Sequence, residues 1–239
     1  MIKFLNILFF AGMVVMNYLA NALPLNGKNT GELSDAFPNL FVPAGITFSI
    51  WGVIYLLLLL VCIIQFSGST QATIIQINWL FIFSCVLNAL WIVFWHYGKL
   101  PLSLLVMLGL LVSLIFINIR LTGSSNMLIK ATFGIYLGWI CIATIANVTA
   151  LLVHYNWNGF GISGEIWTIL MIIIGMVITI LAIRKFNNPW MGFSVVWAFA
   201  GIIIKRQTDF RSIALVAIIA ALCVAAMAVF SFFRKSTIG

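Results

Sequence analysis

Three stretches of the chain repeat one arrangement, flat rings with a hydrogen-bonding side chain at helical spacing. Trp51 and Tyr55 are four residues apart. Asn88, Trp91 and Trp95 follow the i, i+3, i+7 rule, and Tyr136, Trp139, Ala143 and Asn147 extend it, with Thr144 beside them. Each set shares one face of a helix. Convergence of the three faces gives a mostly apolar pocket with a few polar groups, the usual form of a small-molecule site. Rings would stack on a flat, greasy ligand while amides and hydroxyls orient it. The same spacing also suits rings that only pack helix to helix, with Asn88 and Asn147 bonding across a bundle.

Other chemistry has no candidates. No Asp, Glu, Lys or Arg stands in the middle of an apolar run, where ion-coupled carriers and voltage sensors keep such groups. His96 and His154 fall at the ends of runs and read as interfacial. The sequence has no paired carboxylates, no nucleophile beside a base, no metal-ligand spacing and no phosphate loop, so we assign no catalytic and no metal-binding residues. Cys62, Cys85, Cys141 and Cys223 lie singly in apolar segments and read as small hydrophobes.

The elements that must position these residues are membrane helices. The chain has 239 residues, 64% hydrophobic and only 7% charged, far outside the range of a soluble domain. Nine tryptophans exceed what interfacial belts need, so the surplus must pack inside. By the measure of about 20 apolar residues per crossing, eight segments qualify: 3–20, 43–65, 75–96, 101–119, 129–153, 164–183, 189–204 and 212–233. The fold class is all-α, a polytopic transmembrane bundle. Pro43, Pro101 and Pro189 mark helix starts, where a missing N–H is harmless. The seventh segment is short, either a crossing or re-entrant. The first also fits a secretory signal, with Lys3, an apolar core and small residues at Ala20 and Ala22. The long connection 21–42, with Pro24, Gly27, Gly31 and Pro38, is a solvated loop of a length that often serves as a lid.

With the N-terminus inside, the inner ends hold Lys3, Arg120, Lys130, Arg184, Lys185, Arg234 and Lys235, and the outer ends hold Lys28, Lys99, Lys205, Arg206 and Arg211. Basic residues favour the cytoplasmic side, so the N-terminus is placed there; short loops favour a bacterial inner membrane. The net charge of +8 reads as contact with anionic lipid heads, not nucleic acid. Gly134 and Gly138, and the alanines Ala214, Ala217, Ala221, Ala225 and Ala228, are close-contact faces, within the chain or in a homodimer.

These residues resemble the TspO/MBR family, the tryptophan-rich sensory proteins related to the mitochondrial translocator protein. "PAGITFSIWGVIY", Pro43 to Tyr55, is similar to the family signature; Leu87, Asn88 and Trp91 match a second motif, and Tyr136, Leu137, Trp139, Thr144 and Asn147 a third. The resemblance covers about residues 1–153 and leaves the segments from about residue 164 onward outside the family core. The resemblance implies a five-helix core, often dimeric, closed by loop 21–42 over a porphyrin-binding pocket lined by Trp51, Asn88, Trp91, Trp139 and Asn147. It makes a tetrapyrrole, porphyrin or haem, the expected bound molecule. Val42 replaces the first of two family prolines, and no Lys or Arg follows Tyr155 closely, which argues against sterol binding. The chain is accordingly divided into a core at 1–158 and a three-helix extension at 159–239. Pro189 to Trp197 repeats the spacing of Pro43 to Trp51, the kind of internal repeat found in transporters. The alternatives are therefore a carrier for a neutral hydrophobic solute and a structural membrane protein without a ligand.

Overall fold

The structure, a computed structural model, describes residues 2–22 and 27–236, with side chains through Phe233; Pro24 of the long loop lies outside the described residues. The described residues form helices α1 (Ile2–Ala22), α2 (Thr30–Asp35), α3 (Ile50–Ile64), α4 (Gln71–His96), α5 (Leu100–Arg120), α6 (Met127–His154), α7 (Gly164–Phe186), α8 (Met191–Arg206) and α9 (Arg211–Ser236). A 3-10 turn, Gly45–Ser49, leads into α3. Seven of the helical segments are long and apolar enough to cross a membrane, so the protein is an all-α polytopic bundle. Pro101 sits in the first turn of α5, as its missing N–H favours.

The seventh predicted segment is α8, which falls short of the length of those seven. Its 16 residues reach roughly 24 Å at 1.5 Å per residue, short of the ~30 Å hydrocarbon layer. Its flanks nevertheless engage opposite ends of the bundle. Before it, the Asn188 amide donates to Asn118 Oδ1 (2.9 Å) and to the Lys130 carbonyl (2.8 Å), joining the end of α5 to the start of α6. At its other end Lys205 and Arg206 grip the loop after α2. The segment therefore crosses and does not re-enter. The start of α1 and the end of α9 consequently lie at the same end of the bundle, opposite α2.

Small residues explain why α8 fits. A Cβ on Gly134 would sit 2.6 Å from Asn188 Oδ1, and one on Gly138 would run into the Met191 carbonyl and Ser194. The glycine face of α6 is thus filled by α8 of the same chain. On α9, Ala217, Ala220 and Ala228 are buried, and a Cβ on Gly192 of α8 would come within 2.9 Å of Ala228. Both small-residue faces are occupied within one chain.

Polar side chains tie the remaining helices. Asn6 of α1 donates to Gln65 Oε1 (3.0 Å) at the end of α3, and Asn17 donates to Asn88 Oδ1 (2.7 Å) on α4. An interhelical bond of this kind contributes about 1 kcal/mol. With Met13 and Ala20 also buried, α1 belongs to the bundle. Intact-mass measurement of the purified protein is expected to show residues 1–22 retained; a mass lacking them would mean the bundle assembles without Asn17. Two readings of single residues change. His96 is fully buried, its Nδ1 2.8 Å from the Ile92 carbonyl, not interfacial, and Cys223 faces outward, unlike the buried Cys62 and Cys85.

Candidate functional site

The site begins with the chain that leaves α1. Asn29 caps α2, accepting from the Glu32 N–H (2.9 Å) while Glu32 accepts from the Asn29 N–H (2.8 Å), which fixes this single short helix as a rigid plug. Asn39 then accepts from the N–H groups of Phe41 (3.2 Å) and Val42 (3.1 Å), turning the chain back toward the bundle. The predicted loop is therefore an ordered lid in its described part, and α8 holds it. Lys205 pairs with Asp35 at 2.7 Å, and Arg206 donates to the carbonyls of Leu40 (3.0 Å) and Asn39 (2.8 Å). The Ala44 N–H donates to the Gly201 carbonyl (3.0 Å), and Trp197 Nε1 donates to the Thr47 carbonyl (2.9 Å). The one local signal for this fastening was the pair Lys205 and Arg206 at the end of a short apolar run, and nothing in it named the lid as the partner.

Beneath the lid the predicted rings converge. Trp51 stacks on Tyr55 of its own helix and on Trp91 of α4, each at 5.7 Å, and meets Tyr136 and Trp139 of α6 edge-on at 6.1 Å. Trp91 stacks on Trp95 at 6.3 Å. The four tryptophans among these rings border a cavity of about 40 Å³. Of the nine residues predicted from the sequence, Trp51, Trp91, Trp95, Trp139 and Asn147 line it. The other four stand behind it. Asn88 receives Asn17 and donates to the Tyr136 hydroxyl (2.9 Å), Tyr55 backs Trp51, and Thr144 bonds to the Ile140 carbonyl (2.7 Å). Asn147 accepts from Ser103 Oγ (3.0 Å) of α5. The sequence reading missed the lid's contribution, Thr30 and Ser34, together with Pro43 and Phe48.

The polar inventory of this cavity is unbalanced. The indole N–H groups of Trp91, Trp95 and Trp139 are buried without a hydrogen-bond partner among the described residues, as is the Thr30 hydroxyl. An unmade bond of this kind costs about 1–3 kcal/mol. A molecule with acceptors, brought among these donors, would recover that. The volume sets the other condition. A water needs roughly 10–15 Å³ of such space, so the closed cavity holds a few waters at most, whereas small-molecule sites span roughly 300–1,000 Å³. Ring faces and donors suit a tetrapyrrole, but the closed volume does not admit one.

The arrangement is that of a multi-pass helical membrane protein with a lidded tryptophan cavity between its helices. The family model described as TSPO-like protein matches residues 3–230, and the chain belongs to that family. The match runs past residue 153, where the resembling motifs end, through α7 and α8 and into α9. No curated protein and no solved structure matches the chain.

Proposed function

We propose that the protein binds a planar hydrophobic ligand bearing hydrogen-bond acceptors, a porphyrin-type molecule, in the tryptophan cavity, in order to sense or pass it on. The observation that carries this is the set of three buried, unpartnered indole N–H groups around one cavity. Trp51, Trp91 and Trp139 supply the ring faces, and Asn147 and the indoles orient the ligand. Because the cavity as it stands holds only about 40 Å³, binding requires it to widen, and the lid, which supplies Thr30, Ser34 and Pro43 to its wall, is the part that would lift away.

Quenching of tryptophan fluorescence by protoporphyrin, in the detergent-purified protein, tests the reading. Saturable quenching is expected, weakened about tenfold in Trp139→Phe, which keeps a ring and removes one donor, and weakened also in Asn147→Ala. Absence of saturable quenching, or indifference to both changes in folded protein, would make these residues packing groups. Ligand-dependent flux in sealed vesicles separates transport from sensing.

We also place the lid end outside the cell. Seven basic residues, from Lys3 to Lys235, stand at the opposite end against five at the lid end, and basic residues favour the cytoplasmic side. A cysteine replacing the exposed Lys28 is expected to react with an impermeant maleimide in intact cells; reaction only after lysis reverses the orientation.

A further inference from the structure

A second hollow, far larger than the tryptophan cavity, lies on the other side of the lid. It measures about 700 Å³, within the range of sites that bury a small molecule. Its walls are the lid from Ser34 to Val42, the last turns of α6, the loop holding Trp157 and the first turns of α7. Most of that lining is apolar, with Phe37, Leu152, Trp157 and Met171 among it; Trp167 directs its N–H to the Gly159 carbonyl (2.9 Å). The hollow is separate from the rings that bind in the proposed function. Phe37, which packs on Trp95 at 5.9 Å, and Ser34, which borders both spaces, form the partition.

Charge is confined to one rim, where Lys205, Arg206 and Asp35 stand. Asp35 neutralises Lys205. Among the described residues Arg206 has no carboxylate within 4 Å, and its Nε and Nη2 donate to backbone carbonyls. Asp35 and Asp209 stand near enough to temper the half-buried guanidinium, yet the cleft wall itself carries two cations, Lys205 and Arg206, against one carboxylate, Asp35, and a carboxylate ligand matches the side of the guanidinium that the two carbonyls leave open. The rest of the lining, mostly hydrocarbon, has no use for a small inorganic anion, so the complement is a molecule with one anionic end and a long apolar body.

We propose that this cleft binds a single-chain amphiphile with a carboxylate head, of the fatty-acid class, its tail along α6 and α7 and its head at Arg206. The site is independent of the tryptophan cavity and does not need the proposed ligand to be correct.

The test is scintillation-proximity binding of tritiated oleate to the full chain in nanodiscs of zwitterionic phosphatidylcholine. Saturable binding is expected, reduced about tenfold in Arg206→Gln. Val148→Trp, which leaves both cations in place and fills the cleft from α6, is expected to reduce it as strongly. Oleyl alcohol should compete at least about tenfold less well than unlabelled oleate, since it lacks the charge. Size-exclusion profiles of Val148→Trp report folding separately. Equal competition by the alcohol, or binding unchanged in Val148→Trp, overturns the proposal. Displacement by phosphatidylglycerol at matched concentration also overturns it, because the occupant would then be a bilayer lipid.

Discussion

Gly138→Leu is expected to abolish assembly of the native bundle, with loss of the monodisperse peak in fluorescence-detected size exclusion. A Cβ alone at this position runs into the Met191 carbonyl and Ser194, at the start of α8. The obstacle is backbone, which cannot rotate aside as a side-chain tip does. Overpacking of a well-filled core costs about 1–3 kcal/mol and occasionally more; here the helix itself must move, so the upper end applies. Moving α8 also pulls Asn188 from Asn118 and Lys130, and leaves buried amides unmet. Gly12→Leu, where a Cβ meets nothing within 4 Å, is the matched control and should leave the peak unchanged. A native peak for Gly138→Leu would mean that α6 and α8 are not in contact at this point.

Gly201→Val is the second change with a large expected effect, and it acts on the lid. A side chain at Gly201 would overlap Thr47 and lie 2.9 Å from Pro43 Cβ, at the turn where the lid rejoins the helices. The Ala44 bond to the Gly201 carbonyl would break. The lid is then held ajar, and the tryptophan cavity opens to solvent. We expect a red-shifted tryptophan emission, and association of protoporphyrin about tenfold faster, as removal of roughly 1.4 kcal/mol of closing energy gives. Trp197→Phe, which drops only the bond to Thr47, should shift both readouts in the same direction by less. Unchanged association in both folded variants would show that the lid is not the barrier to entry.

The crossings were legible because hydrocarbon imposes a length and a composition that a run of residues carries by itself. The 3.6-residue period likewise put Trp91, Trp95, Trp139 and Asn147 on the faces that line one cavity. Asn88 and Tyr136 share those faces by spacing, yet they bond to each other, and Asn88 also accepts from Asn17. Spacing along one helix does not say which neighbour a side chain meets, and Asn17 lies 71 residues from Asn88. The seventh segment was ambiguous for the same reason. Its length alone allowed re-entry, and only the distant partners of Asn188 and Arg206 fix its course. Helix α2 was hidden in a polar loop, although Asn29 and Glu32 carry the spacing of a capping box. The closure of the cavity had no local signal, since it results from rings of three helices filling one another's space.

The fastening of the lid to α8 makes the C-terminal helices a timekeeper for whatever the cavity holds. A fragment ending near residue 158 would keep Trp51, Trp91, Trp95 and Trp139 but lose Trp197, Gly201, Lys205 and Arg206, and with them every lid contact they make. Contact with the ligand would be preserved while its dwell time shortened. On the proposed function, occupancy and release would then fall to different parts of one chain, the rings of α3, α4 and α6 holding the ligand and α8 setting how long the lid stays shut over it.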